Sequence, residues 1–506
     1  MPRTLPDATG WTKTFIHTSV KNPQRATDHI VIEPYTHRQL FLDDRAIERM
    51  EGVEHVLHQP RKEGPVLRAD VERGANDVQS RNPPQWNPEK QLWEWFYWSY
   101  WEVPPHGPYA RTDWFVNCYA TSTDLVHWER PSLGLFEWHG SRDNNICHDP
   151  EGQTLYHVFR DEAEPDPARR YKGMFDWDGR HMAVSPNGFA WTHLNVPPVR
   201  SEDESHFFFD ETTGRYTLLH KLQTEWGRSV WLSRSEDWEH WTPSELVLQT
   251  DEIDRANRRE RIAALVADPR YLQPPIVDDG DYIAQVYNMA VLPYEGLYVG
   301  FPLILDPAGA IPPPHDNFTG LNQTELAVSH DLRAWQRVAD RAIFLGVEPW
   351  DGVSFDTAQV LPVGRPLVHD DEILIFHNGL RYRGYEELYQ AAGHDYTSEE
   401  IGALSLARLR RDGFVSLDAA GAGSILTRPF ACRGGNLHVN ADASRGRVAA
   451  ELVDADTLEP LAAHATSLRT DSLNAVLVEG APATAIARLR LTLEDASLFS
   501  FWMELK

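Results

Sequence analysis

In the first four hundred residues the apolar positions come in short runs bounded by Gly, Pro, Asn and Asp, without sustained helical spacing. Leu92-Trp-Glu-Trp-Phe-Tyr-Trp-Ser-Tyr100, Arg215-Tyr-Thr-Leu-Leu-His220, Gly296-Leu-Tyr-Val-Gly300 and Glu372-Ile-Leu-Ile-Phe-His377 are rich in β-branched and aromatic residues and predict strands. One heptapeptide, Ser-x-Asp/Asn-x-x-x-Trp, recurs four times, beginning at Ser122, Ser185, Ser235 and Ser329. Its mechanical reading is a hairpin. The Asp or Asn side chain folds back onto backbone N–H groups to fix a tight turn, and the Trp opens the return strand and packs on the neighbouring sheet. Such a hairpin cannot bury its own apolar face, so copies must stack. Strand groups at this repeat length predict four-stranded propeller blades, about five of them over residues 70–400.

Between the third and fourth copies, Asp251 to Leu265 is charged and reads as an inserted helix. Beyond Gly413 tryptophans nearly vanish and period-two alternation dominates, as in Arg447-Val-Ala-Ala-Glu-Leu-Val453 and Ala485-Ile-Ala-Arg-Leu-Arg-Leu-Thr-Leu493. That pattern predicts a β-sandwich over residues 413–506. Residues 1–69 carry His29-Ile-Val-Ile-Glu33 and Leu40-Phe-Leu-Asp-Asp44 and are expected to cover an edge of the propeller. The expected fold is therefore all-β, a five-bladed β-propeller with a C-terminal β-sandwich.

Length and charge narrow the function. At 506 residues the chain exceeds one hydrophobic core. A net charge of −27 repels phosphate backbones and anionic membranes, and no Lys/Arg cluster is visible in the sequence to offset it. The expected partner is a small carbohydrate, with no nucleic acid and no membrane, and a homo-oligomer is compatible with the sequence. The start Met-Pro-Arg-Thr-Leu-Pro-Asp has no apolar run after it, and Cys118, Cys147 and Cys432 show no metal-ligand spacing, so a cytoplasmic location, no cofactor and no metal are expected. The sequence has no His-Glu-x-x-His, no phosphate-cradling Gly-Lys loop and no Gly-x-Ser-x-Gly elbow.

A propeller followed by a sandwich, with these turns, resembles the fructan-cleaving glycoside hydrolases of family 32, most visibly in Tyr119-Ala-Thr-Ser-Thr-Asp-Leu-Val-His-Trp128. The chain more closely resembles bacterial family-32-like proteins, through Phe41-Leu-Asp-Asp44, Leu57-His-Gln-Pro60, Gly140-Ser-Arg-Asp-Asn-Asn-Ile146, Pro293-Tyr-Glu-Gly-Leu-Tyr298 and Asp412-Gly-Phe-Val-Ser-Leu417. Breaking a glycosidic bond needs a proton donor and a second carboxylate. Carboxylates just ahead of each blade's first strand are the candidates. The resemblance implies Asp77 as nucleophile, Asp143 as transition-state stabiliser and Glu204 as acid/base. The local motifs depart from the family. Asn76-Asp-Val-Gln79 stands for Asn-Asp-Pro-Asn, Arg142-Asp-Asn144 for Arg-Asp-Pro, and Glu204-Ser-His206 for Glu-Cys-Pro. Arg81, Trp86, Trp114, Arg142, Asn144, Asp203, His206, Glu295 and Asp356 are the candidate substrate contacts. Each carboxylate has a plainer alternative as a turn cap or a solvated rim residue. The function expected is hydrolysis of a small glycoside or oligosaccharide, a furanoside among them. The alternatives are a non-catalytic carbohydrate-binding propeller, or a sugar phosphorylase or lyase on the same scaffold.

Overall fold

The computed structural model describes residues 4–6, 12–15, 32–101, 115–150, 152–313, 317–383, 386–394, 400–461, 464–484 and 486–505. Its strands form antiparallel groups in chain order. Sheet I holds Ala75–Gln79, Gln85–Asn87, Leu92–Trp101 and Phe115–Ser122. Sheet II runs from Leu155–Arg160 to Thr192–His193, and sheet III from Ser205–Asp210 to Glu245–Leu248. Sheet IV opens with Gln285–Tyr294 and Leu297–Ala310, and sheet V with Gln359–Pro362 and Glu372–Leu380. A single parallel pairing, Asn322 with Gln359, joins sheets IV and V.

Buried polar side chains tie each sheet to the next, and the ties close a ring. Asn82 of sheet I donates to Tyr156 O of sheet II and accepts from Val158 N. His157 meets Ser205 of sheet III at 2.8 Å, and His206 Nε2 accepts from Val291 N of sheet IV at 3.0 Å. Asn322 donates to Gln359 at 2.7 Å, and Asn378 of sheet V accepts from Ser80 N of sheet I at 2.9 Å. A cycle of this kind is a β-propeller. Its closure borrows a strand from the other end of the chain: Arg61–Arg68 pairs with Gly402–Arg410, the strand beside Glu372–Leu380.

The four repeated turns share one geometry. In the first, Asp124 Oδ1 accepts from Val126 N and His127 N, and Ser122 Oγ accepts from Leu125 N. The residue after the Asp or Asn takes positive φ in every copy, as Leu125, Gly188, Trp238 and Leu332. The tryptophans fill the gaps between sheets. Trp335 lies over Gly300 of its own sheet, where an added Cβ would come within 2.6 Å of the indole. It also packs against the core shared by sheets III and IV.

The helix expected from Asp251 forms as Glu252–Ala267, with Asp251 and Asp254 completing a capping box. Arg261 from this helix ion-pairs with Glu325 of sheet IV at 2.6 Å, which commits that carboxylate to docking the helix. The C-terminal strands Val415–Thr427, Arg433–Asp442, Arg447–Asp454, Asp471–Ala483 and Ala487–Glu504 alternate as the β-sandwich requires. Ile47–Glu51 and Glu54–Gln59 add to the edge of Val415–Thr427. One apolar core runs without a break from Leu292, Phe301 and Ile375 of the propeller to Phe414, Leu437, Leu491 and Phe501 of the sandwich. No described helix is long and apolar enough to cross a membrane.

Candidate functional site

Three of the first strands carry a β-bulge near their beginning. The pairing register slips at Asn76 in sheet I, at Tyr156 in sheet II and at Tyr287 in sheet IV. A bulge leaves one residue out of the ladder and re-aims its neighbours, and bulges gather beside functional sites. Here they turn polar side chains of three sheets toward one another.

Asp77, Gln79 and Arg81 stand two residues apart and so share one face of the chain. Gln79 Nε2 donates to Asp77 Oδ2 at 2.8 Å, and Gln79 Oε1 lies 3.4 Å from both Nη atoms of Arg81. Arg81 then grips Glu204 of sheet III with both prongs, Nε to Oε2 and Nη2 to Oε1, each at 2.6 Å. Asn288 Nδ2 of sheet IV donates to Glu204 Oε2 at 3.1 Å, and the Tyr156 hydroxyl of sheet II reaches the same oxygen at 3.4 Å. Asp77 is 3% exposed and Glu204 2%. Two carboxylates from opposite parts of the ring thus belong to one buried hydrogen-bonded chain. Burial disfavours charge on Arg81, and the Glu204 carboxylate overcomes it, holding the guanidinium protonated beyond its ordinary range. Burial and then Glu204 raise the Tyr156 hydroxyl far above its usual value, so it stays a donor. Gly402 of sheet V backs Asp77 so closely that an added Cβ would overlap the carboxylate.

Asp203 sits beside Glu204, half-exposed, and ion-pairs with Lys221. Burial opposes its charge, but Lys221, then Arg228 and Arg81, hold its carboxyl below the usual range. His206 is buried, stacked on Phe208 and accepting from Val291 N, and burial pulls its ring down to about 3. Asp356 is buried against His377 at 2.9 Å and Lys62 at 3.2 Å. Burial opposes its charge, and His377, then Lys62, depress its carboxyl nonetheless.

The other sequence candidates lie elsewhere. The Asp143 side chain is 75% exposed, with Arg73 at 3.9 Å. Asp143 and Asn144 line a hollow of about 280 Å³ with Tyr97 and Ser99. Strand alternation puts that hollow on the opposite face of sheet I from Trp98, the ring that Arg81 approaches at 5.3 Å. Arg142 reaches Gly134 O and Leu135 O, and Asn144 caps the same turn through Phe136 O. Glu295 occupies the turn after Gln285–Tyr294, where its side chain accepts from Arg38 N at 2.8 Å. Trp86 is 39% exposed and pairs with Trp93, whereas Asp77 pairs with Tyr100 on the same strand. Seven residues at about 3.3 Å each separate the two positions by roughly 23 Å. Trp114 lies outside the described residues.

The sequence offered no Lys/Arg cluster, but folding assembles one. Lys221 Nζ, Arg228 and Arg383 surround the half-buried Tyr287 ring, at 4.5, 5.6 and 5.3 Å from its centroid. Residues 221, 228 and 383 share no local motif, so sequence spacing carries no sign of them. Tyr156, Tyr287 and Asn288 do carry a signal. They stand near the beginnings of first strands, the criterion that selected the carboxylates, which reaches them once neutral polar residues are admitted. Among the described residues no three His, Cys, Asp or Glu side chains gather as a metal-binding group.

The strand pairing and this site define a β-propeller with a C-terminal β-sandwich and a buried polar centre at the openings of its first strands. No protein-family model and no curated protein matches the sequence. Among solved structures, an N-acetylgalactosamine deacetylase from F. plautii is 12% identical with a TM-score of 0.41, over 70% of this chain and 95% of its own. A family 32 β-fructofuranosidase from Bombyx mori is 11% identical with a TM-score of 0.36, over 87% and 94%. An exo-β-1,3-galactanase from Phanerochaete chrysosporium is 8% identical with a TM-score of 0.34, over 88% and 99%. At these values the comparisons add no residue and no substrate to the site.

Proposed function

We propose that the protein is a carbohydrate-active enzyme that cleaves a glycosidic bond of a small saccharide, with Asp77 and Glu204 as its working carboxylates. The observation that carries this reading is the buried chain Asp77–Gln79–Arg81–Glu204, which couples one carboxylate from sheet I to one from sheet III. Asp77, backed by Gly402, attacks the anomeric carbon or activates water. Glu204 handles the proton of the leaving oxygen. It gives that proton as the glycosidic bond breaks, having taken it from water when Arg81 loosens its grip, and the Gln79 amide oxygen beside both Nη atoms offers the guanidinium another acceptor. Asn288 and Tyr156 keep the Glu204 carboxyl oriented through the exchange.

A second reading, a non-catalytic carbohydrate-binding propeller, is favoured by one feature: both Glu204 oxygens already have partners. Asp77→Asn and Glu204→Gln separate the readings. Assayed against aryl glycosides and fructo-, arabino- and galacto-oligosaccharides, an enzyme of this design loses about 10²–10⁴ in turnover with either change. Turnover that survives both changes removes these residues from the mechanism. Saccharide binding without turnover in the unaltered protein favours the second reading.

A further inference from the structure

Among the described residues, only one of the cations around Tyr287 is ion-paired with an acid. Lys221 has Asp203, but Arg228 and Arg383 have no carboxylate partner among the described residues. Arg228 donates Nη1 to the Gln285 amide oxygen at 2.7 Å. Its Nη2 and the Nη2 of Arg383 share one acceptor, Asn317 Oδ1, at 3.4 and 3.3 Å. The two guanidinium groups are therefore close neighbours, and among the described residues their hydrogen bonds go to neutral oxygens. Arg383 Nε is buried with no hydrogen-bond partner among the described residues. In a chain with 75 acidic and 48 basic residues, two adjacent arginines with no ion-paired acid among the described residues run against composition. Like charges held this close repel unless an anion sits between them. The planar forks suit a carboxylate or a phosphoryl group.

The cluster adjoins the carboxylate centre. Tyr287 bulges out of its strand, and the next residue, Asn288, bonds Glu204. Asp203 feels Lys221, Arg228 and Arg81 together. We infer that Arg228 and Arg383 bind an oxyanion carried by the saccharide, so that the substrate is an acidic sugar bearing a carboxylate or phosphoryl group. This deepens the proposed function and rests on it only for the molecule that carries the anion.

Titration calorimetry of the full chain with glucuronate, glucose 6-phosphate, glucose and inorganic phosphate tests it. At least one sugar acid is expected to bind ten times more tightly than glucose or more, and to lose that preference as salt rises. Arg228→Gln and Arg383→Gln are each expected to remove the preference, and Arg383→Lys to keep part of it. Asp77→Asn is expected to leave it intact, so the anion site stands even where the glycosidic reading fails. Equal affinity of the unaltered protein for the neutral and acidic sugars overturns the inference, whatever the variants do. So does a preference that survives both glutamine substitutions in folded protein. Inorganic phosphate binding as tightly as the best sugar acid overturns the claim that the sugar carries the anion.

Discussion

Arg81 and Glu204 have surrendered their hydration to each other. Deleting one partner of a buried pair leaves the other charge uncompensated, at a cost of about 3–5 kcal/mol. Arg81→Met should therefore lower stability by that amount in urea denaturation, and the double change with Glu204→Met should recover most of it. A double variant as unstable as the single one would show that packing, not charge, is what Arg81 supplies. His206 carries a pH dependence of its own. It joins sheets III and IV as a neutral ring whose Nε2 accepts from Val291 N, and a proton on Nε2 would break that bond. Its folded value of about 3 lies below its ordinary 6.5, so the unfolded chain binds the proton first. Stability is then complete above about pH 6.5 and is lost as the pH falls toward 3, at about 1.4 kcal/mol per unit from this one group. Urea midpoints from pH 7 to 4 measure the slope, to which buried His157 and His220 add in the same direction, and His206→Gln should reduce it by the share of this one group.

At the level of strands and turns, the repeat is a packing device. Each Ser-x-Asp/Asn turn bends the chain through a left-handed residue so that its Trp fills the gap between sheets, and Trp335 needs the bare backbone of Gly300 beneath it. Gly300→Ala should cost about 1–3 kcal/mol in thermal or urea unfolding by pushing the indole off its seat. An unchanged midpoint would mean the ring has room to slide. Gly402 serves the site in a similar way. Gly402→Ala should displace Asp77 and lower turnover about as much as Asp77→Asn, with a smaller effect on melting temperature. The bulges at Asn76, Tyr156 and Tyr287 explain why three strands from separate sheets present side chains to one place. A bulge depends on the strand paired beside it, so strand composition alone does not announce one.

The whole molecule behaves as one cooperative body by the logic of its core. The apolar cluster crosses from propeller to sandwich, buried Asp412 accepts hydrogen bonds from Tyr294 on one side and from Asn440 and Ser500 on the other, and Arg61–Arg68 closes sheet V from a distant part of the chain. Calorimetry should show one unfolding transition. Two resolved peaks would mean that the sandwich folds independently of the ring.

The sequence by itself determined the elements whose cause is local. The Ser-x-Asp/Asn turns follow from side chains bonding their own backbone, the helix from its capping box at Asp251, and the sandwich strands from period-two alternation. Position ahead of first strands marked Asp77 and Glu204 along with Asp143, Asp203, Glu295 and Asp356, without separating them. Only the tertiary structure decided which candidates meet. Asp77 sits in the first strand of sheet I, whereas Asp143 sits in the loop after its last strand and lines a hollow on the opposite face of the sheet. Lys221 and Arg228 share one hairpin of sheet III while Arg383 lies far along the chain, and their common field around Tyr287 exists only once sheets III, IV and V stand side by side. Electrostatic neighbourhood depends on distance in space, and distance along the chain does not encode it.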